Sequence, residues 1–333
     1  MENNGLSWEM KGFKMGNIAS STSELCFLKR LSLYGNIFMF QHPYHSTRSG
    51  GLMKQPQKWR DTIDPFSLPY HQFTLSKVLG YPHAGNDVFH VEGTVDSRDV
   101  TAFLKVERQA GADIANEIRI IQQLPFPFIP KILDYGLDGP RFVVTEELPG
   151  ERLSVIVGEN ENRQSLTYLF EYGRTLASFH HVTIDCDPVK DRKFFHPLPK
   201  EFYLDNDLIE AFEFMESHPP IDTTHCFVHG DFHYANILWK DGAISAILDF
   251  ELAGIGNKEF DIAWACFLRP GQKFLDTRTE VERFLDGYRS ENDFNWDSFI
   301  FYFLLLAGWF TKVGKSEAGY PEKVRALVHA MLE

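Results

Sequence analysis

The chain has 333 residues, enough for two packed lobes and further segments, and its 44% hydrophobic and 24% charged content is that of an ordinary globular protein. A net charge of −13 excludes the basic footprint that non-specific nucleic-acid binding needs, and no apolar run approaches the length of a membrane span. Four cysteines, Cys26, Cys186, Cys226 and Cys266, form no Cys-x-x-Cys pair or other metal-ligand spacing and read as reduced thiols of a cytoplasmic protein.

Residues 1–60 are a different kind of sequence from the rest. They carry eight Lys and Arg against three Asp and Glu, an excess of five that leaves −18 for the remainder. They show no sustained period. Their most apolar piece, Leu25 to Phe40, is interrupted by Lys29-Arg30 and Gly35-Asn36, and it lacks the order of a signal peptide. A poorly ordered basic extension is expected, with Met53 as the working start and the upstream residues dispensable.

From His71 onward β-branched and aromatic residues gather in short runs, and strands are expected at Phe73–Leu79, Val88–Val91, Thr101–Val106, Ile129–Tyr135 and Arg141–Glu146. Turn chemistry separates them, as at Ala84-Gly85-Asn86-Asp87 and Leu137-Asp138-Gly139-Pro140. Ile114, Ile118, Ile121 and Leu124 fall at helical spacing across Ala112–Leu124, closed by Pro125. The strands end at Thr145-Glu146-Glu147-Leu148-Pro149-Gly150, where Pro-Gly punctuates the chain.

Helical periods dominate after that point. Ser165–His181 puts Leu166, Leu169, Tyr172, Leu176 and Phe179 on one face. Between Glu201 and Glu216 the acids Asp207, Glu210, Glu213 and Glu216 recur every third residue, either as the wet face of a helix or as an attractor for an ammonium-bearing ligand. Phe299–Phe310 is a nearly unbroken apolar dozen, too short to cross a bilayer, and reads as a core helix.

The most informative stretch is 226–251. Three polar residues, Asp231, Asn236 and Asp249, interrupt apolar runs where a buried strand gains nothing from them. The series is His229-Gly230-Asp231, then Asn236, then Asp249-Phe250-Glu251, with Lys240-Asp241-Gly242-Ala243 as a hairpin turn. A carboxylate followed five residues later by an amide, with a second carboxylate on the next hairpin, suits phosphoryl transfer, because one group can meet a substrate hydroxyl while the others hold a metal. The competing account is a buried hairpin with incidental polar residues.

This block resembles the aminoglycoside phosphotransferase and choline kinase family, small-molecule kinases with the protein-kinase-like fold. The resemblance implies an α+β bilobal architecture, with an antiparallel β lobe carrying one helix at 61–148 and a mostly helical lobe at 149–333. It implies ATP as donor, with GTP as the alternative, Mg²⁺ held by Asn236 and Asp249, and Asp231 as the base toward a small-molecule hydroxyl. Lys105 and Glu117 are implied as the ion pair that steadies the α- and β-phosphates. A strand-end lysine and a solvated glutamate are the plainer account. Gly85 and Asn86 stand where a small residue and an amide form the phosphate turn, although Gly-x-Gly-x-x-Gly is missing and an ordinary hairpin fits almost equally well. Phe103 is implied to stack on the base or else to be core, and Glu147, Leu148 and Leu238 are implied nucleotide contacts. The matching Asp261 is implied to brace the catalytic loop, with helix capping as its local alternative. His229 and His233 read as loop-shaping.

The acceptor is left as a small hydroxyl compound, with an aminoglycoside-like or amino-alcohol cation suited to the acidic balance and choline or sugars also compatible. Protein kinase activity is disfavoured, since Asp249-Phe250-Glu251 lacks the usual Gly and no Ala-Pro-Glu follows. A catalytically silent nucleotide-binding module is the rival from another class.

Overall fold

The structure is a computed structural model and describes residues 63–82, 86–108, 111–221 and 225–333, all within one compact unit, Thr47–Glu333. The expected extension at 1–60, with Met53, and Gly85 of the expected phosphate turn lie outside the described residues. The fold is α+β with two lobes, and the strand-rich one comes first in the chain.

The small lobe is a five-stranded antiparallel sheet of β1 (Phe73–Gly80), β2 (Asp87–Val95), β3 (Arg98–Val106), β4 (Ile132–Gly136) and β5 (Phe142–Glu146), in the order β1-β2-β3-β5-β4. Alternation along β3 decides what each face carries. Ala102, Leu104 and Val106 point into a core with Phe89, Val91, Phe142 and Val144, closed by Leu68 and Phe73. Phe103 and Lys105 therefore stand on the opposite face, flanked across the sheet by His90 and Thr145 and by Val88 and Val143. Helix α1 (Ile114–Ile121) packs on that second face through Ile114 and Ile118 against Val143.

Some expected bounds move for identifiable reasons. The helix expected over 112–124 starts after Asp113, whose carboxylate caps the Asn116 N–H at 3.0 Å, and it ends at Gln122 before Pro125. The fourth strand begins at Ile132, not Ile129, because the Ile129 N–H closes a turn on Phe126 O and Pro130 follows. The second strand runs well past Val91 as one arm of a long hairpin with β3.

The large lobe contains β6 (Glu151–Arg152), α2 (Leu153–Val157), α3 (Leu166–His180), α4 (Lys200–Asp205), α5 (Ile209–Ser217), β7 (His225–Val228), β8 (Ile237–Lys240), β9 (Ala243–Ile247), β10 (Gly254–Asn257), α6 (Lys258–Cys266), α7 (Arg278–Arg289), α8 (Trp296–Gly314) and α9 (Tyr320–Leu332). The apolar dozen is the buried middle of α8, and among the described residues no helix is long and apolar enough to cross a membrane. The single helix expected here is two, since Asp207 at φ 54° breaks α4 from α5; Glu210, Glu213 and Glu216 lie on α5, Asp207 lies in the break, and all four acids are exposed. The expected β8–β9 turn forms with Asp241 and Gly242 both at positive φ, the backbone a tight two-residue hairpin requires.

Helices α3 and α7 touch backbone to backbone. A Cβ on Gly173 would stand 1.9 Å from Phe284 O, and one on Gly287 would stand 1.9 Å from Phe170 O. Gly173→Ala is accordingly expected to lower unfolding free energy in urea by about 1–3 kcal/mol through forced separation of the two helices. An unchanged midpoint would mean that the pair relaxes freely.

Candidate active site

Three segments bring the polar residues of the sequence block together. β7 delivers His229 and Gly230 into a turn, a short 3-10 segment at Tyr234–Asn236 leads into β8, and β9 runs out to Asp249. The Leu248 N–H donates to Asn236 O at 2.8 Å, so the two stretches that end in Asn236 and Asp249 lie side by side. Asp249 itself has φ 69°, a left-handed backbone that Asp tolerates better than most residues and that re-aims the chain after β9.

Lys105 is the meeting point of the two lobes. Its Nζ lies 2.9 Å from Glu117 Oε2 on α1, 2.6 Å from Asp249 Oδ1 and 3.2 Å from Glu251 Oε2. The side chain is 14% exposed, so it does not face open water. Burial alone would lower the Lys105 pKa, but the charges of Asp249, Glu117 and Glu251 outweigh it and hold the ammonium well above its usual range. The carboxylates feel the reverse. Burial, with Asp249 alongside, raises Glu117, and burial with the same neighbours pushes Glu251 up to about 7 against the pull of Lys105.

Glu251 was legible in sequence only as a departure from Asp-Phe-Gly. In space it is a full member of the cluster, since it also accepts from Asn86 Nδ2 at 2.7 Å. Asn86 is buried and its Oδ1 accepts from the Arg108 N–H at 3.2 Å, so the start of β2 is tied both to the chain just past β3 and to the large lobe. No motif signals this pairing, because 165 residues separate its partners.

Phe103 is not core. It shares the Lys105 face, half-buried, and stacks on His90 at a centroid distance of 4.8 Å and an interplanar angle of 18°. His90 Nε2 is 3.1 Å from Glu147 Oε2, which ties this aromatic pair to the inter-lobe segment. The Glu147 N–H donates to Thr101 O at 3.3 Å, and Leu148 follows half-buried. Two residues on, a Cβ at Gly150 would stand 2.9 Å from Leu238 Cβ, so Leu238 lies directly beneath the chain where it leaves the small lobe.

Asp231 is held at both oxygens. Trp264 Nε1 donates to Oδ1 at 2.8 Å, and Asn236 Nδ2 donates to Oδ2 at 3.2 Å and to the Asp231 carbonyl at 3.0 Å. Nε2 of His233 stands 3.5 Å from Oδ1. Burial would raise the Asp231 pKa, but His233, together with the guanidiniums of Arg192 and Arg269, holds it well below the usual carboxylate range. Trp264, Arg192 and Arg269 were not anticipated from sequence. They lie 33 to 39 residues from Asp231 in chain order, and no spacing rule connects them.

The loop around Asp231 is shaped from behind. Buried Asp261 accepts the His229 N–H at 2.9 Å and the Gly230 N–H at 3.0 Å, with His180 Nε2 at 3.3 Å. Bracing is thus its observed role; the N-cap of α6 is Asn257, whose side chain accepts from the Phe260 N–H. His229 accepts the Asp231 N–H at Nδ1 and donates from Nε2 to Leu248 O, a neutral linker between the two loops, and burial keeps its pKa low. The His233 ring accepts the Ala235 N–H. Asp261→Ala strands two buried N–H groups, and a loss of about 2–4 kcal/mol in urea unfolding is expected, with Asp261→Asn recovering part of it.

The donor set suits a hard divalent cation. Asn236 commits its amide N–H₂ to Asp231, leaving the carbonyl oxygen, and Asp249 retains one carboxylate oxygen beyond the one on Lys105. Glu117, Asp249 and Glu251 gather within 4.8 Å around one ammonium, so the cluster is short of positive charge. A cavity of about 420 Å³, lined by Ile121, Leu124, Phe126 and Ile129 among others, lies at the far end of α1 and includes none of these residues.

Solved structures share this architecture. A thermostable variant of the aminoglycoside phosphotransferase APH(4)-Ia, in a ternary complex with ADP and hygromycin B, aligns at TM-score 0.51 and 14% identity over 78% of this chain and 94% of that one. Another thermostable variant of the same enzyme, with AMP-PNP and hygromycin B, aligns at TM-score 0.51 and 14% identity over 77% and 95%. A choline/ethanolamine kinase family protein from Mesorhizobium loti aligns at TM-score 0.48 and 14% identity over 81% and 90%. The family model of the phosphotransferase enzyme family matches residues 79–302, a span that runs from the end of β1 into α8 and contains every site residue described above. With two thirds of its length so matched, the chain belongs to the phosphotransferase enzyme family.

Proposed function

We propose that the protein transfers the γ-phosphoryl group of a nucleoside triphosphate to a hydroxyl of a small molecule, with residues 61–148 as the nucleotide lobe and 149–333 as the catalytic and acceptor lobe. The observation that carries this reading is the convergence on Lys105 of Glu117 from one lobe and Asp249 from the other, beside the Asp231–Asn236 pair. ATP is the donor on this reading, supported by the ADP and AMP-PNP complexes of the solved relatives, with GTP as the alternative.

Each residue then has a task. Phe103 and Leu238 supply apolar surface on either side of a base. Glu147 has already committed its N–H to Thr101, so the base edge falls to the Glu147 carbonyl and the Leu148 N–H. Lys105 offers its ammonium to the α- and β-phosphates, and Gly85 and Asn86 form the turn over them. Asn236 and Asp249 would hold Mg²⁺, which when bound neutralises phosphate charge. Asp231 accepts a hydrogen bond from the acceptor hydroxyl. As the new O–P bond forms and the bond from the γ-phosphorus to the bridging oxygen breaks, ADP departs with that oxygen and the hydroxyl proton passes to Asp231. A carboxylate held so far toward its ionised form orients the nucleophile and takes the proton late, which suits a loose transition state.

A net charge of −13 favours, at long range, a cationic acceptor such as an amino sugar or amino alcohol. The immediate surroundings of Asp231 are of the opposite sign. ADP release should be followed in a cytoplasm-like buffer with Mg²⁺ across amino sugars, choline analogues, sugars and hydroxy acids. Failure to bind ATP would overturn the reading, and binding without turnover on any acceptor would favour the silent nucleotide-binding module.

A further inference from the structure

Resting on that phosphotransferase reading, we propose that Trp264 is a positioning residue for the reaction: its indole N–H holds Oδ1 of Asp231, so that Oδ2 is the oxygen presented to the acceptor hydroxyl. Three observations support this.

First, the anchor comes from outside the loop that carries Asp231. The Asp231 N–H donates to His229 Nδ1 at 3.2 Å, and Asn236 Nδ2 donates to the Asp231 carbonyl at 3.0 Å and to Oδ2 at 3.2 Å. Those bonds lie within residues 229–236 and move with them. The Trp264 Nε1–H, which donates to Oδ1 at 2.8 Å, belongs to α6. Asp261 lies one turn back on the same face of that helix and accepts the N–H groups of His229 and Gly230. One helix face therefore grips three consecutive loop residues, two by their backbone through Asp261 and the third by its side chain through Trp264.

Second, the two oxygens of Asp231 are unequally occupied. The His233 ring accepts the Ala235 N–H at Nδ1, so the neutral ring carries its proton on Nε2, which stands 3.5 Å from Oδ1. Oδ1 thus faces two N–H groups, from Trp264 and His233, whereas Oδ2 faces one, from Asn236. A carboxylate oxygen has two lone pairs, and Oδ2 keeps one of them for a hydroxyl. Rotation about the Cβ–Cγ bond of an aspartate is soft, and donors fixed at both oxygens set the plane of the group. Loss of the indole N–H loosens that plane and lets Oδ1 and Oδ2 exchange roles.

Third, the indole itself is held fast. Trp264 is fully buried, stacked on Phe260 at a centroid distance of 5.8 Å, T-shaped with Phe194 at 5.2 Å and packed on Phe310 at 5.7 Å. Arg269 fixes both the backbone and the ring, since its NH2 donates to the Trp264 carbonyl at 2.7 Å and its guanidinium lies 5.0 Å over the indole. A buried indole N–H needs a partner, and here the partner is the side chain that would orient the nucleophile. Packing asks only for an aromatic ring at this place; the N–H aimed at Asp231 is what indole adds. A misplacement of about 1 Å in a reacting group can cost roughly 10²-fold in rate, so a donor held this rigidly bears on turnover.

The test replaces Trp264 by Phe and, because the smaller ring also costs packing, separately by benzothienylalanine, which keeps the shape of indole and puts sulfur in place of the N–H. ADP release from ATP and Mg²⁺ is followed on amino sugars, choline analogues, sugars, hydroxy acids and water as acceptors, with ADP affinity by calorimetry and stability by urea unfolding, all on the full chain. Both replacements are expected to lower kcat roughly 10- to 100-fold, the worth of one hydrogen bond to a charged group, with ADP affinity and KM for ATP within about twofold. In an Asp231→Ala background, Trp264→Phe should cost no further turnover, because the indole acts through that carboxylate. With isotope-labelled tryptophan, the indole N–H resonance that disappears in Trp264→Phe should move upfield in Asp231→Ala. Wild-type kcat with benzothienylalanine, an additive loss in the double variant, or an unmoved resonance would each overturn the proposal while leaving the phosphotransferase reading in place. That reading fails separately, and the positioning role with it, where the wild type binds no ATP or releases no ADP on any acceptor, water included.

Discussion

Replacing Asp231 by Ala is expected to lower turnover by about 10²- to 10⁴-fold, the usual contribution of a positioned base, while ADP affinity stays within about twofold. The separation follows from geometry. Among the described residues, the hydrogen bonds and close ion pair of the Asp231 side chain go to Trp264, Asn236 and His233 of the large lobe, whereas Lys105 pairs with Glu117, Asp249 and Glu251. Asp231→Asn should be nearly as inactive, because its new amide N–H₂ would face the N–H₂ of Asn236 where a carboxylate oxygen now accepts. The pH dependence adds a second readout. Since the folded carboxyl titrates below the ordinary range, the stability it contributes is present above the unfolded value of about 3.9 and is lost only as pH falls through the lower folded value. The stability difference between wild type and Asp231→Ala should therefore be flat above about pH 5 and shrink in stronger acid. Wild-type rates in Asp231→Ala would remove this residue from the chemistry.

Lys105→Met is expected to be the most destabilising change at the site. Glu117, Asp249 and Glu251 share this one ammonium, and its removal leaves three carboxylates facing one another in a partly buried cluster. Breaking such an arrangement costs about 3–5 kcal/mol when the remaining charges stay ionised. They need not all do so. Burial already raises Glu117 and pushes Glu251 up to about 7, so protonation offers relief, and the folded variant binds more protons than its unfolded chain through the mildly acidic range. Stability then falls as pH rises, and the deficit relative to wild type should be larger at about pH 8 than at about pH 5 in metal-free buffer. Urea unfolding at the two pH values measures it. Millimolar Mg²⁺ should narrow the gap by replacing the missing positive charge, and nucleotide affinity should fall with the same substitution. A deficit under about 1 kcal/mol at either pH would mean that the cluster does not depend on Lys105.

Much of this site could be read residue by residue. Lys105 and Glu117 are named from the family resemblance, and the local pattern agrees with it: with Ala102, Leu104 and Val106 in the core, alternation turns Lys105 to the opposite face, toward α1. Asp231, Asn236 and Asp249 stand out because each interrupts an apolar run, and the hairpin between them has its own turn chemistry. The acidic repeat at 207–216 misled in part, since period alone could not reveal that Asp207 would adopt a left-handed backbone and divide the helix. Glu251 shows a different limit. Its side chain reaches across to Lys105 and Asn86 of the small lobe from just past Asp249, where the backbone takes a positive φ.

The family resemblance supplied the roles, while the amino-acid order by itself marked the strand-rich and helix-rich stretches, a lysine on a strand with a glutamate on the helix after it, and three polar residues that interrupt apolar runs. All of these depend on periodicity, turn propensity or short spacing, which act within a few residues. Only the tertiary structure decided the immediate surroundings of Asp231: the Trp264 indole and the Arg192 and Arg269 guanidiniums over it. Those groups arrive from separate segments by packing, and the electrostatic character of a buried site is set by whatever packing brings close, whereas the net charge of the chain acts mainly at long range through screening solvent.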